Sequence, residues 1–267
     1  MGGMGFSFFK PKELPRPASL TFTLDGAGHT YDDGHIGLAP TSLTISEQRV
    51  AVIGLNGAGK STLLGLLDGS LKATAGTVTI TGGEERLDPA SKRDLKRIED
   101  LVGKVRREEI PNSFYRAENI SEAVSEALKK HKIAEGERHA RIGNLFAHFD
   151  LAQVARAKAS ELDSEKRHLL AIAAALSFNP SAIVADEPSK GLDEIGTMHV
   201  AKALFSYNEQ VIFATHDTDM ICRPEYAIDR VLVVDEHTVV YDGKPADAVA
   251  FYEDLIRKRY EAAKAAA

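Results

Sequence analysis

The stretch "GLNGAGKST", residues 54–62, decides how this chain is read. It has the form G-x-x-x-x-G-K followed by Ser or Thr. "RVAVIG" (49–54) before it is a β-branched run suited to a strand buried on both faces, and "KSTLLGLLDGSL" (60–71) after it has a helix composition. A strand, a glycine-rich loop and a helix in that order is the setting in which this spacing acts as a phosphate cradle. The glycines let the backbone wrap closely around phosphate oxygens. The N–H groups of Asn56, Gly57, Ala58, Gly59, Lys60, Ser61 and Thr62 are then expected to face the anion, helped by the positive end of the helix. Lys60 is expected to reach the terminal phosphates and Ser61 to offer its hydroxyl to Mg²⁺.

A second stretch, "SAIVADEPSKGLD" (181–193), is an apolar strand ending in two carboxylates. Adjacent side chains at a strand end point in different directions, so the pair divides two tasks. Asp186 is expected to hold Mg²⁺, and Glu187 to orient or deprotonate an attacking water. A third, "VIFATHD" (211–217), puts His216 just past another apolar strand, at the sheet edge where open α/β sheets bind ligands. His216 is expected to contact the γ-phosphate or hold the water.

The bulk composition excludes several classes. The chain has 267 residues, 43% of them hydrophobic, with a net charge of −6, so a basic nucleic-acid footprint is absent and no nucleic-acid partner is expected. One cysteine, Cys222, rules out a disulfide framework or a cysteine-based zinc site. No apolar run approaches the roughly 18 residues of a membrane span. Residues 1–17 read as a flexible leader; Gly2 suggests a myristoylation site, but Phe6 stands where Ser or Thr is wanted.

Residues 18–267 read as one domain. "SLTFTLDG" (19–26) and "TSLTISEQRVAVIG" (41–54) alternate as strands do, with the turn-rich "HTYDDGHIG" (29–37) between them, and "AGTVTITGGEE" (75–85) reads as a strand and a Gly-Gly turn. From about 88 to 178, helical spacing and mixed charge predict a helical subdomain inserted in an α/β core. Strands and helices then alternate: helix 164–178, strand 181–186, helix 194–206, strand 210–215, a hairpin over 230–243 and a closing helix from 246. This alternation predicts a mainly parallel sheet.

In this order the pieces resemble the ATP-binding subunit of ABC (ATP-binding cassette) transporters, over roughly residues 18–250. "GLNGAGKST" resembles that family's Walker A, "AIVADE" its Walker B, "PSKGLD" its D-loop with Asp193 closing it, and "ATHD" its H-loop. The resemblance implies a P-loop NTPase fold with a RecA-like core, an N-terminal antiparallel β subdomain and a helical subdomain. It implies ATP with Mg²⁺ as the ligand, and Tyr31 in "HTYDDG" as the aromatic that stacks on adenine. The "GLD" ending, "LKRIEDLVGKV" (95–105) and "VVYDGKPADAV" (239–249) resemble the ATPases of energy-coupling-factor importers of vitamins and metal ions, biotin and cobalt or nickel foremost. That likeness implies an ATPase dimer, of like or unlike chains. It docks at the cytoplasmic face of the membrane on a transmembrane scaffold, beside a separate substrate-binding membrane subunit.

Two places depart from the pattern. "LDSEK" (162–166) stands where the family has its signature Leu-Ser-Gly-Gly-Gln, with Ser164 and Glu165 in place of glycines. Ser164 offers a hydroxyl one place along; Glu165 brings a negative charge towards phosphate, which Lys166 offsets. Arg107 falls at the place of the Q-loop glutamine and has no acceptor for a metal. Both departures bear on the rate of hydrolysis rather than on binding. They leave a second function open: an ABC-type module that senses ATP with little turnover.

Overall fold

The computed structural model describes residues 19–106, 110–206 and 208–266; the leader and Arg107 lie outside the described residues. Strands β1 (Thr21–Thr30) and β2 (Ile36–Ile45) form a hairpin. The alternation read in "TFTLDG" is its cause: Phe22 and Leu24 are buried, while Thr21 and Thr23 are only partly covered. Strand β3 (Arg49–Ile53) and helix α1 (Lys60–Leu67) follow. The chain then returns to the hairpin as β4 (Ala75–Gly82) and β5 (Glu85–Leu87), giving an antiparallel sheet in the order β2-β1-β4-β5.

The run 41–54 spans two strands: β2 ends at Ile45, and β3 begins at Arg49 in a different sheet, where 49–54 read as a buried strand. The break falls at Ser46-Glu47-Gln48, where the Glu47 carboxylate accepts from its neighbour's backbone and from the Arg230 guanidinium. Four consecutive polar residues, Ser46 to Arg49, interrupt the alternation at the break.

The second sheet has six strands in the order β10-β9-β3-β8-β7-β6. It is built from β3, β6 (Val102–Val105), β7 (Ala182–Asp186), β8 (Gln210–Ala214), β9 (Arg230–Asp235) and β10 (Thr238–Gly243). All pairings are parallel except the β9–β10 hairpin. Alternate residues of β3 enter two separate cores. Val50 and Val52 face the antiparallel sheet and α1; Ala51 and Ile53 face the helices on the other side. The six-stranded sheet is thus a middle layer, which is why its strands read as unbroken apolar runs.

Helices α2 (Lys92–Leu101), α3 (Ile120–Lys130), α4 (Glu135–His148) and α5 (Ser164–Ser177) come between β5 and β7. Among them β6 is hydrogen-bonded into the six-stranded sheet. Helices α6 (Glu194–Phe205), α7 (Thr218–Cys222) and the closing α8 (Pro245–Ala266) complete the chain. No helix among the described residues is long and apolar enough to cross a membrane.

Candidate functional site

The loop between β3 and α1 lies on the hairpin turn of β9 and β10. A Cβ at Gly54 would come 2.1 Å from the Val234 carbonyl oxygen, and one at Gly59 (φ 109°) would come 2.6 Å from that of Gly37. Backbone sits on both sides, so only glycine fits. The His237 N–H donates to the Ala58 carbonyl at 2.9 Å and fixes the loop from below. Asn56 and Gly57 stay exposed, as does Ser61 in the first turn of α1. Lys60 is buried, and its ammonium donates to the carbonyls of Gly54 (2.8 Å) and Leu55 (3.1 Å), closing the loop into a ring.

Strands β7 and β8 end beside this loop, and three of the expected residues converge there. The Glu187 carboxylate lies 3.8 Å from the Lys60 ammonium and 3.8 Å from His216 Nδ1. Glu187 is buried, whereas His216 is 65% exposed and projects from the sheet edge. The Glu187 backbone has φ 48°, a left-handed conformation that costs a non-glycine residue about 1–3 kcal/mol. Its N–H donates to the Ala214 carbonyl at 3.0 Å, so the bend is held by the neighbouring strand. Next to it, Asp186 is buried and its Oδ1 finds no hydrogen-bond partner among the described residues.

Tyr31 and Thr62 also meet, their hydroxyls 3.0 Å apart over the first turn of α1. Asp193 caps α6, its Oδ1 accepting the Gly196 N–H at 2.8 Å. Ser164 begins α5, and its carbonyl lies 2.8 Å from His168 Nδ1 one turn on. Asp163 is the cap: one oxygen accepts the Lys166 N–H at 2.8 Å and the other meets the Lys166 ammonium at 2.7 Å. Lys166's side chain and then its backbone N–H hold the Asp163 carboxyl below the usual carboxylate range. Glu165 turns towards α6, where His199 Nδ1 lies 2.8 Å away.

Two neighbours were not foreseen. Lys190 lies 3.5 Å from Glu187, and the three-residue spacing within "DEPSK" was its only signal. His237 reaches the phosphate loop through the β3–β9 pairing, across a sequence separation that no local pattern reports.

Comparison with known proteins points to one family. A family model described as ABC transporter matches residues 38–190. The biotin transport ATP-binding protein BioM of Rhizobium etli is 27% identical over 236 residues, 88% of this chain and 99% of the relative. The energy-coupling factor transporter ATP-binding protein EcfA of Methanococcus maripaludis is 28% identical over 223 residues, 82% of this chain and 77% of the relative. The structure of cbiO1 from Clostridium perfringens, part of the ABC transporter complex cbiONQ, superposes with a TM-score of 0.72 at 26% identity, covering 91% of this chain and 94% of that one.

Proposed function

From the premise that the chain belongs to the ABC transporter family, as one of its ATP-hydrolysing subunits, we propose that it powers an importer of the energy-coupling-factor type. The cargo is a vitamin or a transition-metal ion, biotin and cobalt or nickel being the first choices; the biotin transport relative BioM supports the vitamin. The protein works at the cytoplasmic face of the membrane, paired with a second ATPase chain. The pair docks on a transmembrane scaffold that stands beside a substrate-binding membrane subunit. Residues 18–267 act as one nucleotide-binding domain, and the helical stretch within 88–178 carries the movement to the scaffold.

The observation that carries the reading is the convergence of Lys60, Glu187 and His216 within 4 Å at the mouth of a glycine-bound loop. With a triphosphate in the loop, Lys60 neutralises the terminal phosphates, and the backbone from Asn56 to Thr62 supplies N–H donors, except Ala58, whose N–H donates to the Leu55 carbonyl at 3.1 Å. Glu187, in a buried site, accepts the proton of the attacking water. The water oxygen bonds to phosphorus as the bond to the ADP oxygen breaks. His216, at the exposed edge, holds the γ-phosphate or the water. The donors near Asp186 fit Mg²⁺: a buried carboxylate oxygen without a hydrogen bond and the open Ser61 hydroxyl are both hard oxygen ligands. When bound, the ion spreads the charge of the β and γ oxygens. Asp193 closes the D-loop, and Tyr31 takes the adenine.

A second reading, an ATP sensor with little turnover, is favoured by the Asp163 cap. A carboxylate already occupies the N-terminus of α5, where the family's signature receives phosphate from the facing subunit. One experiment tests a motor that works alone against a chain whose own signature does not support turnover: MgATP hydrolysis by the purified chain alone, by Glu187→Gln, and by a chain with Leu-Ser-Gly-Gly-Gln at 162–166. Turnover that depends on Glu187 without a partner supports the motor. Turnover that appears only in the restored-signature chain supports a partner that supplies the signature, or a sensor. Turnover unaffected by Glu187→Gln defeats the site.

A further inference from the structure

Glu187 faces three basic side chains, and its two carboxylate oxygens divide them. Oε1 lies 3.8 Å from the Lys60 ammonium, whereas Oε2 lies 3.5 Å from the Lys190 ammonium and 3.8 Å from His216 Nδ1. Lys60 approaches from the interior, with 3% of its side chain exposed; Lys190 approaches from the solvent side, with 42% exposed. The backbone sets the second contact. The Lys190 N–H donates to the Glu187 carbonyl at 3.1 Å, closing a turn that begins at the left-handed bend of Glu187. The other side of that bend is fixed by the Glu187 N–H on the Ala214 carbonyl at 3.0 Å. Glu187 and Lys190 are thus carried by one turn that is anchored on β8.

A nucleotide asks different things of these neighbours. Under the reading above, a triphosphate draws Lys60 towards phosphate, and His216 is engaged with the γ-phosphate or the water. A buried carboxylate that loses its cation is costly, and it swings towards whichever cation is left. Lys190 belongs to the same turn and lies outside the loop. Its flexible stem lets the ammonium stay with the carboxylate while its other end remains in water.

We propose that Lys190 is the positioning residue of the general base. It holds Glu187 by Oε2, so that Oε1 is the oxygen released when Lys60 turns to phosphate. Oε1 then takes the proton of the attacking water, as the water oxygen bonds to phosphorus and the bond to the ADP oxygen breaks. Lys190 acts through Glu187 alone. The proposal rests on the ATP-hydrolysing reading above.

The test measures MgATP affinity by titration calorimetry and phosphate release at saturating MgATP. Both are read in the full chain and in the chain with Leu-Ser-Gly-Gly-Gln at 162–166. Each background is compared with its Lys190→Met, Lys190→Arg, Glu187→Gln and double Glu187→Gln, Lys190→Met variants. Lys190→Met is expected to lower turnover at least about tenfold with affinity unchanged, short of the roughly 10²- to 10⁴-fold that a general base contributes. Lys190→Arg keeps the charge and is expected to recover most of the loss. Adding Lys190→Met to Glu187→Gln is expected to cost nothing further, because no carboxylate is left to position. Unchanged or faster turnover in Lys190→Met overturns the proposal, as does a matching loss of affinity, failure of arginine to rescue, or a further loss in the double variant. Glu187-dependent turnover that ignores Lys190 leaves the hydrolytic reading standing and removes only the proposal. Turnover that ignores Glu187→Gln, or is absent from both backgrounds, removes the two together.

Discussion

Asp68 ends helix α1, at the opposite end from the phosphate loop, and is wholly buried. A carboxylate at a helix C-terminus opposes the helix dipole, so it must be held by donors and cations. Its Oδ1 accepts the Ser70 N–H at 2.8 Å, its Oδ2 lies 2.5 Å from the Arg106 guanidinium, and the Lys104 ammonium is 3.8 Å away. Replacing Arg106 by methionine leaves a buried charge without its main partner. Breaking a fully buried pair in this way costs about 3–5 kcal/mol. Arg106 is 34% exposed, so water already carries part of the interaction, and Lys104 remains to compensate. The expected loss is about 2 kcal/mol, which lowers the melting temperature by about 4–8 °C for a domain of this size. Asp68→Asn, which keeps the shape but not the charge, is expected to cost about 1–2 kcal/mol. The double variant should be more stable than the summed losses require by about 1 kcal/mol, because neither charge is then stranded. Differential scanning calorimetry of the four proteins decides this. Single variants that melt within about 1 °C of wild type, or a double variant whose loss is the plain sum, would refute the pairing.

Three further outcomes are expected. Glu187→Gln retains MgATP binding while turnover falls about 10²- to 10⁴-fold, read from calorimetric affinity and steady-state phosphate release side by side. Gly59→Ala forces a Cβ to 2.6 Å from the Gly37 carbonyl at a left-handed φ, and weakens MgATP at least about tenfold in the same titration. Asp163→Asn keeps the cap of α5 and removes its charge. The folded pKa of Asp163 is depressed, so its charge contributes stability above the unfolded value, about 3.9, and loses it as the pH falls through the folded value. The side chain is 57% exposed, so the melting gap between wild type and variant at pH 7 is at most about 2 °C, and it closes below about pH 4.

What could be read without coordinates followed local rules. Gly54 and Gly59 announce a tight loop by spacing, and β3, β7 and β8 announce themselves as buried by unbroken apolar runs. Glu187 and His216 were legible because each follows such a run, and parallel pairing of Asp186 with Ala214 brings the two strand ends level. What stayed hidden depends on long-range register. Arg106 pairs with Asp68 because β6 lies beside β7 at one end of α1, and no spacing in the chain encodes that. The Glu165–His199 contact needs the packing of α5 on α6.

Apart from Asp186, whose Oδ1 has no hydrogen-bond partner among the described residues, the charged groups of the site are already engaged by a neighbour within the chain. Lys60 is held by two loop carbonyls and faces Glu187; Glu187 also faces Lys190 and His216; Asp163 is paired with Lys166 and Glu165 with His199. A triphosphate entering the loop therefore has to exchange the partners of Lys60. Lys60 is buried and cannot serve phosphate and Glu187 equally, so its turn towards phosphate releases the carboxylate. Glu187 keeps its exposed partner Lys190 and gains freedom to take a proton from water. Binding and activation are then one event at the level of the Lys60 ammonium. Under the proposed roles, this accounts for the Glu187 carboxylate being seated 3.8 Å from the Lys60 ammonium.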